Sequence, residues 1–318
     1  MSIFNTLSRF PGVISVSPQK PLRRFLKSWQ LYICILPVLV YLFIFNYLPM
    51  YGVQIAFRNF MPGLGITDSP WVGLAHIRAF FQSFQFPILI RNTLLINIYS
   101  LLIGFPIPII LALMLNEVRH LWYKKTIQNL TYIPYFISTV VIVSMIMLFT
   151  SPTTGVINSI IGFFGAEPIN FMGRAEWFRP LLIGSSIWQF MGFNAIIYIA
   201  ALSGVDPELH EAACIDGASR LRRIWHINLP CISPTIIMLL ILSFGSLMSV
   251  GFERVFLMQN TLNLGVSEVI STYVYKVGLL GARFSFAAAI DLFNTVINFT
   301  MLLIVNRVAK SLSGIAVL

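Results

Sequence analysis

Six segments of this chain are long and apolar enough to cross a lipid bilayer as helices. They cover residues 29–51, 93–115, 127–150, 180–203, 229–251 and 284–306. A membrane-spanning helix needs about 20 mainly apolar residues, and lipid offers the backbone no hydrogen-bond partner outside its own helix. The sequence therefore predicts an all-α integral membrane protein with six transmembrane helices. Prolines within these segments predict kinks, at Pro37, Pro49, Pro106, Pro108, Pro134 and Pro234.

The overall composition fits lipid rather than water as the surrounding medium. Apolar residues make up 57% of the chain and charged residues 10%, against about 25% charged in a typical soluble domain. The net charge of +10 fits either a nucleic-acid-binding surface or basic loops retained in the cytoplasm. Because the basic residues are scattered between the apolar segments, we favour the second explanation and expect no nucleic-acid partner. The three cysteines have no metal-ligand spacing, so we predict neither a metal site nor a disulfide framework.

The distribution of basic residues also predicts an orientation. With the N-terminus inside, 13 of the 21 Lys and Arg fall on the cytoplasmic side and 8 on the other. We expect a cytoplasmic N-terminal segment at residues 1–28, which with the first span resembles a retained signal anchor. A six-span domain at residues 29–310 and a cytoplasmic tail at residues 311–318 follow, so that both termini are cytoplasmic. Three long connections lie outside, at residues 52–92, 151–179 and 252–283. Within the last, residues 269–279 predict either an amphipathic helix at the outer interface or a strand or loop packed on the bundle.

One cytoplasmic loop, residues 204–230, has a local structure that the sequence predicts in detail. Asp206 is a good N-cap, and Pro207 suits the first position of a helix. Gly217 can adopt a positive φ and so end that helix. A second short helical piece then leads into the fifth span. Physical chemistry alone allows this loop to be an ordinary amphipathic connector that lies on the membrane.

The spacing of particular residues in this loop is more specific. Glu211-Ala212-Ala213, then Gly217, then Ile227-Asn228-Leu229-Pro230 form the pattern E-A-A-x3-G-x9-I-x-L-P. The pattern resembles the signature loop of permease subunits of binding-protein-dependent ABC importers. The six-span layout and the run from Tyr47 to Gly52 resemble the maltose-type sugar permeases. The runs Phe252–Phe256, Thr272–Tyr275 and Asn306–Lys310 resemble the branch associated with complex oligosaccharides and polysaccharides.

The resemblance implies an ABC type I importer permease fold, in which this loop is a coupling helix that docks on a separate ATPase subunit. The implied contact residues are Glu208, Glu211, Ala212, Ala213, Asp216, Gly217 and Ala218. Glu211 either pairs with a basic residue of that subunit or only stabilises its own helix. ATP and Mg would be bound by the ATPase subunit, so this chain is expected to carry no cofactor.

The resemblance also implies the partners and the location of the chain. A second, similar permease forms a heterodimer with it, two ATPase subunits bind beneath, and an extracytoplasmic solute-binding protein docks outside. The location is the bacterial cytoplasmic (inner) membrane, and the substrate is an oligosaccharide or polysaccharide, with an alginate-type acidic fragment as one candidate.

Motifs for chemistry within the chain are absent from the sequence. It contains no GxxxxGK[ST] phosphate loop, no HExxH and no GxSxG elbow. We therefore expect a non-catalytic subunit with no catalytic residues. A secondary transporter, a channel subunit and an intramembrane enzyme remain as alternatives, and each of them predicts activity from this chain alone.

Polar residues inside the predicted spans are candidates for a translocation path. The six candidates are Trp188, Gln189, Asn194, Asp291, Asn294 and Asn298. Intramembrane acids are costly and often functional, and we consider pairing of Asp291 with Arg91 or Arg283. Alternatively, these polar side chains form hydrogen bonds between helices and do not line a path. For Ser243, Ser246 and Ser249 we favour this second explanation.

Overall fold

The computed structural model describes residues 29–313. The predicted cytoplasmic segment at residues 1–28 lies outside the described residues, as does most of the predicted tail at residues 311–318. By internal contacts the chain divides into two units, Met1–Gln54 and Ile55–Leu318. The described part is helical, with two isolated β-bridges, Arg58–Trp71 and Met61–Gly65. This confirms the all-α prediction.

Five continuous helices of the described residues are long and apolar enough to cross a membrane. They are Trp29–Phe57, Gln85–Glu117, Ala175–Ser203, Arg220–Phe244 and Phe284–Ser311, and we call them the first, second, fourth, fifth and sixth spans. Between the second and the fourth, Leu121–Phe136 and Thr139–Phe149 form a pair bent by 100°. The number of spans is six only if this bent pair counts as the third, so the count of six stays a prediction.

The bend in the third segment has a local cause. Pro134 lacks a backbone N–H, and the chain leaves helical geometry at Ile137 and Ser138, which are both extended. The Ser138 hydroxyl then accepts a hydrogen bond of 3.4 Å from the Val141 amide and so caps the following helix. The span predicted at residues 127–150 is thus broken at Ile137 and Ser138, three and four residues after Pro134, where only a kink was predicted.

Prolines also explain three wide turns within the other spans. The π-helical turns Phe43–Tyr47, Ser100–Gly104 and Ile224–Asn228 each end two residues before a proline, namely Pro49, Pro106 and Pro230. A proline cannot donate to the helical ladder and its ring crowds the preceding turn, so the backbone widens there.

The fifth span ends earlier than the sequence predicts. Its helix ends at Phe244, and residues 245–251 form no regular helix, contrary to our prediction of a span to residue 251. Asn298 supports this segment, because its side-chain oxygen accepts a hydrogen bond of 2.7 Å from the Met248 amide and its side-chain nitrogen donates one of 2.9 Å to Ser249 Oγ. Asn298 is the fifteenth of the 30 residues of Phe284–Ser313, so the non-helical segment lies beside the middle of the sixth span.

Four short helices connect the fifth span to the sixth: Phe252–Met258, Leu264–Ser267, Ile270–Val274 and the π-helical Tyr275–Leu280. The helix predicted at residues 269–279 is thus confirmed. Its N-terminal residues are buried, and the Ile270 amide donates a hydrogen bond of 3.2 Å to Thr93 Oγ1 of the second span. This helix packs on the bundle through its buried face.

A buried asparagine holds this connection on the bundle. Asn92 donates hydrogen bonds of 3.0 Å to the carbonyl oxygens of Gly265 and Glu268, and its own side-chain oxygen accepts one of 3.0 Å from Arg179. The second and fourth spans are therefore joined to the short helix Leu264–Ser267 through one amide. Lipid is as apolar as the helix surfaces, so the hydrophobic effect does not drive helices together in a membrane. Hydrogen bonds between helices, such as these, contribute to their association instead.

Candidate functional site

A groove made of four adjoining cavities runs along the second, fourth and fifth spans. The cavity volumes are about 370, 180, 230 and 320 Å³. The first three share Ser100, and the last three share Gly104 and Asn194. Because each cavity shares residues with the next, they form one continuous groove rather than separate pockets.

Polar and apolar side chains share the lining of this groove. Seven neutral asparagine, serine and threonine side chains contribute, together with the charged Glu253 and Arg254; the seven are Asn97, Ser100, Thr139, Ser186, Asn194, Ser243 and Ser246. The aromatic residues Phe105, Phe190 and Phe252 add flat apolar surface. Amide and hydroxyl groups can hydrogen-bond to the polar edges of a solute, and the aromatic rings can contact its apolar faces.

The two charged residues lie at the depth of the middle of the bundle. Arg254 donates a hydrogen bond to the side-chain oxygen of Gln189, the fifteenth of the 29 residues of the fourth span. A second hydrogen bond, of 3.2 Å, joins Arg254 to Ser185 Oγ. Phe252–Met258, the first part of the connection predicted at residues 252–283, thus packs beside the middle of the fourth span. Non-helical backbone at this depth, as at residues 245–251, is tolerated where it is buried in protein or lines a cavity.

The three path residues predicted on the fourth span have different surroundings. Asn194 lines three of the four cavities. Gln189 is buried behind the groove, where it donates a hydrogen bond of 2.8 Å to the carbonyl oxygen of Ile137. Trp188 lines a separate apolar cavity of about 340 Å³ with Ile142 and Phe149.

The three residues predicted on the sixth span also differ from one another. Asn298 is engaged with Met248 and Ser249, as described above. The side-chain oxygen of Asn294 is buried and has no hydrogen-bond partner among residues 29–313. Asp291 is exposed, and among residues 29–313 it forms no ion pair. The considered pairing with Arg91 or Arg283 is thus not present.

The three serines predicted on the fifth span, for which hydrogen bonding between helices was favoured, also differ in their surroundings; only Ser243 lies in the observed helix. Ser243 and Ser246 line the groove, and their hydroxyls donate to the carbonyl oxygens of Leu239 and Ser243, within their own segment. Ser249 accepts the hydrogen bond from Asn298 and so joins two segments. The favoured explanation fits Ser249 alone.

The loop at residues 204–230 has the local structure that its sequence predicts. Its helix is Pro207–Ile215, and the Asp206 carboxylate accepts a hydrogen bond of 2.9 Å from the Glu208 amide. Gly217 has a φ of +71° and ends the helix, and the Ala218 amide donates a hydrogen bond of 2.9 Å to the Ala213 carbonyl. A second helix, Arg220–Arg223, is joined to the first because Arg223 Nη1 donates to Cys214 Sγ at 2.8 Å.

The seven residues assigned to ATPase contact lie on the accessible side of this loop. Glu208, Glu211, Ala212, Asp216 and Gly217 are exposed, and Ala213 and Ala218 are half-buried. Large apolar side chains of the same loop are exposed too, with Ile215 at 86% and Trp225 at 67%. A surface with this much exposed apolar area is typical of a protein interface.

Sequence reasoning missed several residues of the groove. Asn97 and Ser100 belong to the second span; Ser100 follows Asn97 by three residues and precedes Gly104 by four, which places all three on one helix face. That spacing could have identified them. Glu253 and Arg254 could not be identified, because a seven-residue helix is too short to register as a membrane segment.

Comparison with known proteins gives the family. The family described as "Binding-protein-dependent transport system inner membrane component" matches residues 104–311. A Bacillus subtilis relative, the polygalacturonan/rhamnogalacturonan transport system permease protein YteP, is 45% identical over 287 residues, which is 90% of this chain and 89% of the relative. Protein LplB of the same organism is 46% identical over 280 residues, 88% of each chain.

Two solved structures have the same fold. The crystal structure of a bacterial ABC transporter involved in the import of the acidic polysaccharide alginate contains a chain that matches with a TM-score of 0.85 and 40% identity, covering 92% of this chain and 99% of that one. The bacterial alginate ABC transporter in complex with an alginate pentasaccharide-bound periplasmic protein matches with a TM-score of 0.86 and 39% identity, covering 94% and 100%. On this evidence, the chain belongs to the family of inner membrane components of binding-protein-dependent transport systems.

Proposed function

We propose that this chain is the permease subunit of an ATP-binding-cassette importer and forms one half of the translocation path for an oligosaccharide or polysaccharide. The observation that supports this most strongly is the continuous polar groove, which is lined by the second, fourth and fifth spans. Lipid-facing surfaces do not need asparagines and serines, whereas a path for a hydrated solute does.

The cavities of the groove are only partly enclosed by this chain. We propose that a similar permease supplies the missing wall in a heterodimer. The predicted residues Asn194, Gln189, Trp188, Asp291, Asn294 and Asn298 keep their proposed place in or beside this path. Gln189 and Asn298 act there by holding the wall, since both are hydrogen-bonded to backbone atoms beside the groove.

The energy would come from ATP that is bound with Mg and hydrolysed by a separate ATPase subunit. The loop around Pro207–Ile215 is the proposed docking element for that subunit, because its caps make it rigid and its contact residues are exposed. Glu211 is positioned to pair with a basic residue of the ATPase subunit, since it has no ion-pair partner among the described residues.

The remaining parts of the proposal concern the assembly and its location. Two ATPase subunits would bind on the cytoplasmic side, and an extracytoplasmic solute-binding protein would dock on the opposite side. The chain would lie in a bacterial cytoplasmic membrane with both termini inside. Relatives named for polygalacturonan and rhamnogalacturonan transport and for alginate import support a saccharide as the substrate.

Affinity purification from gently solubilised membranes tests the ATPase partnership. We expect a tagged chain to recover a second permease and an ATPase subunit, and the recovered complex to hydrolyse ATP. A permease chain recovered alone from membranes that contain the ATPase subunit would contradict the proposal. A channel, a secondary transporter or an intramembrane enzyme predicts that result.

A further inference from the structure

A short basic segment with exposed aromatic side chains joins the second span to the third segment. The second span ends at Glu117 and the next helix begins at Leu121, so residues 119–125 lie where the chain turns back at the end of a span. Their sequence is Arg-His-Leu-Trp-Tyr-Lys-Lys, which contains three Lys or Arg and no Asp or Glu. We call residues 119–125 the basic segment.

The cations of the basic segment are not neutralised by the described part of the chain. Arg119 and Lys125 are exposed, and Lys124 is half-buried. None of the three forms an ion pair among residues 29–313, and neither does Glu117, the nearest acid along the chain. Unpaired cations at the end of a membrane span are available to the negative charges of lipid headgroups.

Three large side chains of the basic segment are exposed beside these cations. Leu121 is 72% exposed, Trp122 78% and Tyr123 53%. Trp122 lies three residues before Lys125, so the two share one face of the helix Leu121–Tyr132. Tryptophan and tyrosine are enriched where headgroups meet acyl chains, and lysine extends its charged end from there toward the phosphates. The segment therefore has the composition of a membrane–water boundary.

The basic segment lies at the same end of the bundle as the proposed docking loop around Pro207–Ile215. Leu113 near the end of the second span and Leu202 near the end of the fourth belong to one buried cluster, and Ile224 packs against it. The two spans therefore end side by side. One leads into the basic segment and the other into residues 204–230.

These two neighbouring parts of the chain carry opposite charge. Residues 206–219, which include the docking helix, contain four Asp or Glu and no Lys or Arg. An ATPase surface that complements the docking loop would be basic, and it would repel the basic segment. An anionic phospholipid headgroup has the opposite charge and attracts it. The charge thus favours the membrane surface over the ATPase subunit as the partner of the basic segment.

We propose that the basic segment binds the headgroups of anionic phospholipids, such as phosphatidylglycerol, at the end of the bundle that carries the docking loop. Its Lys and Arg side chains pair with the negative charge, while Leu121, Trp122 and Tyr123 hold the segment at the boundary with the acyl chains. The attraction is electrostatic, so the preference for anionic lipid weakens as the salt concentration is raised. This inference goes beyond the proposed function, because it concerns the lipid and not the transported solute.

The test is photolabelling of the complete importer in lipid nanodiscs. The probes are phosphatidylglycerol and phosphatidylcholine that carry the same photoreactive group beside the phosphate, and mass spectrometry measures the adducts on the basic segment. We expect phosphatidylglycerol to label it several-fold more than phosphatidylcholine at low salt. Lys124→Gln with Lys125→Gln should lower the phosphatidylglycerol adducts at least about fivefold, whereas Lys124→Arg with Lys125→Arg should keep them within about twofold, because a membrane surface attracts Lys and Arg alike.

The matched control removes two exposed cations from the other end of the bundle. Arg78→Gln with Arg283→Gln changes residues that lie close to Phe80 and Phe286, which pack together with Leu89 near the start of the second span. This variant loses the same amount of charge as the double lysine variant. We expect it to leave the labelling of the basic segment unchanged.

The outcomes separate the lipid site from the proposed function. Equal labelling by the two lipids in the wild-type importer would overturn the proposal, as would unchanged phosphatidylglycerol adducts after both lysines become glutamine. If the wild type shows no lipid preference and the double glutamine variant fails to co-purify with the ATPase subunit, the segment is a protein contact and the proposal is wrong. A chain that labels as expected but recovers no ATPase subunit would contradict the proposed function and support the lipid site.

Discussion

Gln189 donates a hydrogen bond of 2.8 Å to the carbonyl oxygen of Ile137, at the point where the third segment bends by 100°. The bend frees backbone groups from the helical ladder, and lipid cannot satisfy them. Gln189, on the neighbouring fourth span, therefore supplies a hydrogen-bond donor to the Ile137 carbonyl, which lies at the break. Since its side-chain oxygen also accepts from Arg254, this one amide joins the third segment, the fourth span and the helix Phe252–Met258.

Replacement of this amide tests its role as a joint. We expect Gln189→Leu to destabilise the folded chain by about 1–3 kcal/mol, because the Ile137 carbonyl loses its side-chain donor and the Arg254 guanidinium loses one of its two acceptors. Thermal unfolding in detergent measures the effect. Gln82→Leu is the control, since Gln82 is an exposed glutamine outside the spans. Equal unfolding temperatures for the two variants would show that the hydrogen bonds of Gln189 contribute nothing to stability.

Asn194 lines three of the four cavities, so a large side chain there should obstruct the groove. We expect Asn194→Phe to reduce solute uptake by the assembled importer at least tenfold while the ATPase subunit still binds, since a bulky group changes the path and leaves the docking loop intact. Ile196→Phe places the same ring at an exposed position of the same helix that lines none of these cavities. The groove is not the path if both variants transport at the wild-type rate.

Gly217 has a φ of +71°, a conformation that costs a residue with a side chain about 1–2 kcal/mol. We expect Gly217→Ala to distort the end of the helix Pro207–Ile215 and to weaken binding of the ATPase subunit several-fold. Quantitative co-purification measures this. Gly204→Ala is the matched control, because Gly204 lies in the same loop with a φ of −89°. Equal recovery of the ATPase subunit by both variants would remove this turn from the docking surface.

Asp291 is an exposed acid within the sixth span, and it forms no ion pair among the described residues. A carboxylate that faced lipid would be costly, so we expect it to face water or a partner in the assembled transporter. Asp291→Ala should then reduce uptake at an unchanged amount of assembled complex. Thr295→Ala, one turn further along the same helix and also exposed, should transport normally. Unchanged uptake by Asp291→Ala would exclude it from the path.

The sequence predicts best what is decided locally. The loop from Asp206 to Gly217 was predicted with its cap, its helix and its turn, because each depends on residues a few positions apart. The wide turns before Pro49, Pro106 and Pro230 follow from proline itself. Such features need no knowledge of tertiary contacts.

The side of a helix that faces the groove could not be predicted for spans that are apolar all round. Gln189 and Asn194 are both polar residues of the fourth span, yet they lie about 140° apart around the helix, at 100° per residue. Only the packing of the neighbouring segments decides that Asn194 lines the groove and Gln189 lies behind it. Likewise, the position of Arg254 at the middle of the bundle depends on contacts with Ser185 and Gln189, 69 and 65 residues away in the chain.

The most direct test of the account is solute uptake by proteoliposomes of defined composition. We predict that vesicles with this chain alone neither accumulate oligosaccharide nor hydrolyse ATP. Vesicles that also contain the second permease, the ATPase subunits and the binding protein should accumulate it only when ATP is present. Uptake by this chain alone, or uptake that does not depend on ATP, would contradict the account and point to a channel or a secondary transporter.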